Sequence, residues 1–224
     1  MSMARLARVV VPRVAHHITQ RGNRRQQVFF CDEDYAEYLR LMREWCDKWG
    51  VEIWAYCLMP NHVHLIAVPE REDSLARGIG EAHRRYTRMI NFRENWRGHL
   101  WQERFRSFPM DDQYLLVAVR YVEMNPVRAG LAREAWDYEW SSASAHINGR
   151  DDGLVEVSGL REVIGSDWKE FLSAGLKDDE LDVLRLHGRT GRPLGTESFV
   201  RKLERELSRV LRPRKPGPRR KEKR

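Results

Sequence analysis

Residues 51–68 hold two apolar runs separated by Pro60-Asn61. Val51 to Leu58 and His62 to Val68 are rich in β-branched and aromatic side chains, so each reads as a strand. A Pro-Asn pair between such runs marks a turn, and the segment predicts a hairpin. Alternation fixes the faces as well. Successive strand residues point to opposite sides, so Val63 faces the core while His62 and His64 share the other side. Two neutral imidazoles on one rigid strand can form half of a divalent-metal site.

The hairpin lies inside a longer alternation of elements. Ala15 to Arg21 reads as a first strand, followed by a turn at Gly22-Asn23-Arg24-Arg25. Asp32 to Lys48 predicts a helix capped by Asp32 or Asp34, with Tyr35, Tyr38, Leu39, Met42, Trp45 and Cys46 as its apolar stripe and Gly50 as its stop. A second helix is expected from about Ser74 to Asn91, with Leu75, Ile79, Ala82, Tyr86, Met89 and Ile90 turned inward. Leu100 to Phe108 reads as a fourth extended segment. A third helix runs from Asp112 to Asn125, its acidic start suited to the helix dipole and Pro126 its stop. Strand, helix, strand, strand, helix, strand, helix is the split βαβ order. The predicted fold class is α+β: a ferredoxin-like antiparallel sheet with helices on one face, plus a C-terminal helical extension. Residues 1–148 read as one domain and 149–211 as a helical accessory region. That region has a helix starting at Asp167 and an amphipathic one over Glu197 to Leu211, capped by Thr196. Residues 212–224 read as a disordered basic tail.

The net charge of +7 belongs to that tail. It carries eight of the 40 Lys and Arg residues and one of the 33 Asp and Glu residues, so the other 211 positions sum to zero. A Pro-rich basic tail favours polyanions through counterion release, without sequence choice. Local basic clusters add to it: Arg21, Arg24 and Arg25 at a strand end, Arg84, Arg85 and Arg88 on the second helix, and Arg104 in the aromatic segment. Each could grip nucleic-acid phosphates, and each could be an ordinary solvated surface. Residues 149–211 could be an accessory nucleic-acid module or a helical cap on the core. Three cysteines without C-x-x-C spacing suggest reduced thiols in a cytosolic protein, and no apolar run is long enough to span a membrane. The expected location is the cytoplasm, in association with the nucleoid.

On the third helix, Tyr121 and Asn125 are four apart and lie one turn from each other. An apolar helix must pack against the sheet, and the face carrying His62 and His64 is where its polar tips would meet partners. Other histidines offer less. His16 and His17 are adjacent and cannot both face one side, and His83, His99, His146 and His187 lack a partner at metal spacing. Asn61 reads as a turn residue.

Several motifs in order resemble the single-tyrosine HUH transposases, in particular their REP-associated tyrosine transposase branch. They are Thr19-Gln20-Arg21-Gly22-Asn23, Met59-Pro60-Asn61-His62-Val63-His64-Leu65, Gly98-His99-Leu100-Trp101-Gln102-Glu103-Arg104-Phe105, Tyr121-Val122-Glu123-Met124-Asn125-Pro126-Val127-Arg128-Ala129-Gly130 and Trp140-Ser141-Ser142-Ala143. The resemblance spans residues 15 to 146 and makes 1–148 the catalytic domain. It implies a metal-dependent endonuclease and strand transferase on single-stranded or hairpin-forming repeat DNA, working as a monomer or homodimer. His62 and His64 would hold Mg²⁺ or Mn²⁺, Tyr121 would attack the phosphate to form a 5′-phosphotyrosine link, and Asn125 would be a third metal contact. Asparagine is shorter than the glutamine of some relatives, so a water-bridged role is the alternative. Tyr86 and Tyr114 compete with Tyr121, but Tyr86 has Ile90 at the fourth position. Two other readings stay open: a domesticated DNA-binding protein that no longer cuts, and a metal-dependent hydrolase using the H-x-H pair for water attack.

Overall fold

The computed structural model describes residues 7–165 and 167–212. The first strand, β1, spans His16–Arg21 and leads through a short 3-10 turn to helix α1, Asp32–Trp49. The hairpin follows as β2, Val51–Met59, and β3, His62–Pro69. Helix α2 is Ser74–Arg93, β4 is Arg106–Pro109 and α3 is Asp112–Glu123. The strands pair antiparallel in the order β2-β3-β1-β4, which is the ferredoxin-like order that the element sequence predicts.

Two cores lie on the two faces of this sheet. Val63, Leu65 and Ala67 of β3 join Tyr38, Met42, Ile79 and Tyr86 of α1 and α2 in the first. Ile66 and Val68, one residue out of phase, join Leu115, Ala118, Val119 and Val122 of α3 in the second. The two helices of the split βαβ unit thus share one face. The other face is covered as well, by α3 and the C-terminal helices, so the expectation of helices on one face holds for α1 and α2 alone.

A β-bulge between Ile53 and Ala55 sets the phase of β2. Ile53 points into the first core, then Trp54 and Ala55 both belong to the second, and Cys57 and Met59 follow on that side. Strict alternation from Val51 would have placed Cys57 and Met59 under α1. The extra residue instead puts them beside His64 and His62, with which they pair directly.

The elements end for local reasons. Gly50 adopts a left-handed conformation (φ 61°) and closes α1. The N-cap of α1 is Cys31, not an aspartate, while the Asp34 carboxylate reaches back to accept from the Phe30 N–H at 2.8 Å. Of the expected fourth strand only Arg106–Pro109 joins the ladder. Gln20 holds the Glu103 carbonyl with its side-chain amide at 2.7 Å, bending residues 102–105 away from β1, and Trp101 alone bridges to Gly22.

The C-terminal part adds α4 (Asn125–Arg128), α5 (Ala143–Asn148), α6 (Ser158–Ile164), α7 (Trp168–Ser173), α8 (Asp178–Thr190) and α9 (Glu197–Glu206). Leu160, Trp168, Leu172, Leu184 and Leu194 lie in the second core with Phe108 and Leu115. Residues 149–211 therefore complete the sheet's second face. Thr196 caps α9 as expected, accepting from the Phe199 N–H. The helix stops at Glu206, five residues early, because the Glu204 carboxylate accepts from the N–H groups of Leu211 and Arg212 and turns the chain back. The expected basic tail falls outside the described residues except for Arg212.

Candidate active site

The second face of the sheet brings together residues that are far apart in sequence. His62 and His64 project from β3, opposite Arg21 and Thr19 of β1. His17, one turn of the pleat away on β1, approaches His64 with Nε2 and Nδ1 3.0 Å apart. Tyr121 closes the group from α3: its ring centroid lies 5.4 Å from that of His64 and 5.7 Å from that of His17, edge-on to both. His17 was not expected here, although the parity of β1 selects it over His16 once β3 is known to be its neighbour.

Each histidine of the H-x-H pair has its Nδ1 occupied. The His62 Nδ1–H donates to the Asn61 side-chain oxygen at 2.5 Å. The His64 Nδ1 is engaged by His17. Both Nε2 atoms are left as lone-pair donors if His64 donates to His17, as metal-ligating imidazoles require. Burial, with a smaller push from the Arg21 cation, lowers the pKa of His62 to about 4. Burial first, then the neighbouring His17, His62 and Arg21, holds that of His64 well below 6.5. Both rings are thus neutral at pH 7. The donor set suits an open site of two imidazoles. Among the described residues no cluster of three or more His, Cys, Asp or Glu completes a closed metal cage.

Asn125 is placed differently from the histidines and the tyrosine. The helix breaks at Met124, since Pro126 cannot continue the hydrogen-bond ladder, and Asn125 begins the separate helix α4. Its side chain is buried and its amide nitrogen has no hydrogen-bond partner. It does not line the cleft that His62, His64 and Tyr121 share. The competing tyrosine, Tyr86, is fully buried in the first core and donates its hydroxyl to the Val28 carbonyl at 2.6 Å, with the sheet between it and the histidines.

That cleft has a volume of about 920 Å³. Six arginines line it with His17, His62, His64 and Tyr121: Arg21, Arg25, Arg104, Arg106, Arg185 and Arg189. Arg106 pairs with Glu103 and Arg185 with Asp182, both at 3.3 Å. Among the described residues the other four make no ion pair. Burial, and then the cations of Arg25 and Arg106, lowers the pKa of Arg21 while the nearby Tyr121 opposes that shift. A cleft that crowds uncompensated positive charge is built for a polyanion. Of the other expected phosphate contacts, Arg24 is exposed but outside the cleft. Arg84, Arg85 and Arg88 lie on α2, across the sheet, where Arg84 and Arg85 pair with Glu81.

Sequence reasoning also missed α8, which carries Arg185 and Arg189 to the cleft. Its signal was present in Asp178-Asp179-Glu180, an acidic start in which Glu180 accepts from the Lys177 N–H at 2.9 Å.

Residues 10–125 match the sequence model of the family described as "Transposase IS200 like". The chain belongs to that family. The matched span runs from before β1 through α3 and holds His17, His62, His64, Tyr121 and Asn125. A curated relative from Haemophilus influenzae, a REP-associated tyrosine transposase by name, is 29% identical over 121 residues, covering 49% of this chain and 69% of its own. A solved structure described as a REP-associated tyrosine transposase bound to a REP hairpin superposes with a TM-score of 0.57 at 22% identity. That match covers 69% of this chain and 90% of the other, and establishes a shared fold. This transposase-family chain therefore resembles the REP-associated branch. No helix among its described residues is long and apolar enough to cross a membrane.

Proposed function

We propose that this transposase is a metal-dependent single-stranded DNA endonuclease and strand transferase that works through Tyr121 at hairpin-forming repeats. One observation carries the reading: Tyr121 stands against His64 in a cleft walled by arginines. The Tyr121 hydroxyl makes no hydrogen bond among the described residues, and the Arg128 guanidinium lies 4.5 Å above its ring. A strand held by Arg21 and Arg25 would present a phosphodiester to that hydroxyl. The phenolic oxygen bonds to phosphorus, its proton passes to water, and the bond from phosphorus to the 3′ oxygen breaks. The 3′ oxygen leaves as a hydroxyl, and the 5′ end stays on Tyr121 as a phosphotyrosine. A 3′-hydroxyl attacking that ester reverses the step and rejoins the strand without an external energy source.

His62 and His64 would hold Mg²⁺ or Mn²⁺ through their Nε2 atoms, with Mn²⁺ favoured by nitrogen donors. When bound, such an ion polarises the phosphoryl oxygens and offsets the charge that builds on them. Asn61 and His17 fix the two rings by occupying Nδ1. Asn125 would reach such an ion through its side-chain oxygen, directly or across a water, since its unpartnered amide nitrogen is a donor and cannot ligate a cation. The curated relative's name and the hairpin in the matched structure support repeat DNA as the substrate.

The test is incubation with end-labelled hairpin DNA and Mn²⁺, resolved on a denaturing gel. A covalent protein–DNA adduct is expected, and Tyr121→Phe should abolish it. An adduct that persists in Tyr121→Phe and disappears in Tyr86→Phe or Tyr114→Phe would move the nucleophile. Cleavage with no adduct would favour water attack at the H-x-H pair. Binding with neither would favour a silent DNA-binding protein.

A further inference from the structure

The cleft has two walls from different parts of the chain. One is β1 with its following turn, which supplies Arg21 and Arg25. The other is α8, which lies beyond the residues matched by the family model. Leu184 anchors α8 in the second core, and His187 packs its ring 6.0 Å from that of Phe108 on β4. Gly188 sits where an added Cβ would already touch the Phe108 ring at 4.0 Å, so the helix lies close on the sheet. With that side fixed inward, Arg185 and Arg189, four residues apart, share a face and both line the cleft.

Both side chains are available. Among the described residues Arg185 pairs with Asp182, which is 78% exposed, and an exposed pair of this kind gives way readily to a competing anion. Arg189 makes no ion pair among the described residues. A phosphate could take both guanidiniums without breaking anything in the fold.

We propose that α8 is the far wall of a channel for the backbone of single-stranded nucleic acid. Arg185 and Arg189 each hold one phosphate along the wall that α8 forms over β4 and β1. The contact is to backbone, so it adds affinity and register without reading bases. It rests on the reading of this cleft as a DNA site. It adds that a helix outside the matched family region is part of the substrate channel.

The experiment uses the full chain in its Tyr121→Phe form, so that nothing is cut, and a fluorescent hairpin flanked by single-stranded DNA. Binding is measured by anisotropy over a range of salt. Each phosphate contact to a single strand contributes about 0.7 to the slope of log K against log[salt]. Arg185→Gln with Arg189→Gln should therefore reduce the slope by about 1.4 and weaken binding about tenfold or more near 0.15 M salt. Arg201→Gln with Arg205→Gln on α9, which does not line the cleft, should leave the slope unchanged. A double variant on α8 with an unchanged slope overturns the proposal while the DNA reading stands. Tighter binding by that variant also overturns it, since α8 would then be an obstacle. If the parent protein shows no salt-dependent binding, both readings fall together. Circular dichroism and thermal melting should match the parent, since both side chains are exposed.

Discussion

Each face of the sheet holds a tyrosine against a histidine, and the two pairs differ in everything around them. On the first face Tyr38 and His83 meet at 2.8 Å, both buried among Phe29, Tyr86 and Trp101. Burial raises the phenol well above 10 and lowers the imidazole to about 3, so both stay neutral and joined. On the second face Tyr121 touches His64 and His17 by ring edges only, and its hydroxyl shares a cleft with six arginines. The residue types are the same. Enclosure with a made hydrogen bond gives a core contact, whereas an open cleft, an unmade bond and nearby cations are what the proposed nucleophile would need for access and field. The largest expected effect follows. Tyr121→Phe should lower covalent adduct formation by more than about 1,000-fold, as removal of a nucleophile does elsewhere. Tyr38→Phe should keep the adduct and instead cost about 1–3 kcal/mol in urea unfolding, because His83 Nε2 loses its partner. The reverse pattern would break the comparison.

Behind the tyrosine, the second face has a buried polar anchor. Glu123 is fully buried two residues after Tyr121. Its carboxylate accepts from Ser142 Oγ at 2.6 Å and from Trp168 Nε1 at 2.7 Å, and it meets His146 Nδ1 at 2.6 Å. These partners come from the start of α5, from α5 itself and from α7, so one side chain ties the end of α3 to the C-terminal helices. Glu123→Ala should cost about 3–5 kcal/mol, measured by chemical denaturation, since it strips three buried groups of their acceptor. A loss below about 1 kcal/mol would mean that water takes the carboxylate's place.

The contrast also explains what could be read in advance. The first face was legible because its pattern is local. The stripe of Tyr35, Tyr38, Met42 and Cys46, and that of Leu75, Ile79, Ala82 and Tyr86, follow the helical period, and alternation along β3 gave the partner strand. His62 and His64 could be placed on one face for the same reason. The second face depends on long-range facts. His17 joins the site only because β1 lies beside β3, and Cys57 faces it only because of the bulge at Ile53/Ala55, which leaves no mark in composition. Helix α8 is harder to see because its apolar residues Leu181, Val183, Leu184 and Leu186 crowd into its middle, with Gly188 after them, and spacing places Asn125 on the helix of Tyr121 because it shows periodicity but not a break at Met124. The arginines of the cleft come from three separate stretches of chain; Arg21, Arg25 and Arg104 stand out in sequence, whereas Arg106, Arg185 and Arg189 join them only through the fold.

His17 offers a finer test of how far the second face is organised around His62 and His64. Its ring is buried, lies nearly parallel to that of His64 with centroids 5.2 Å apart, and meets Phe108 edge-on. If its contact to Nδ1 fixes the His64 ring, His17→Ala should weaken Mn²⁺ binding about 10- to 100-fold by titration calorimetry without DNA, the usual cost of losing such a partner. His83→Ala, an equally buried imidazole on the first face, should leave Mn²⁺ affinity unchanged while lowering stability. Equal effects of the two variants would reduce His17 to a packing residue.

The smallest expected difference lies in charge. Arg84 and Arg88 sit on α2, across the sheet from Tyr121, and Arg84 is held by Glu81 on its own helix. Arg21 lies on the cleft itself, directly opposite His62. Cleavage of a short oligonucleotide that only fills the cleft should therefore fall sharply in Arg21→Ala and change less than about twofold when Arg84 and Arg88 are both replaced by alanine. Exposed charges a layer away from a site are largely screened at physiological salt. A longer hairpin that reaches around the edge of the sheet would bring α2 into play. The ratio of the two variants' effects, measured as hairpin length increases, therefore shows whether the DNA stays in the arginine-lined cleft or continues onto the other face.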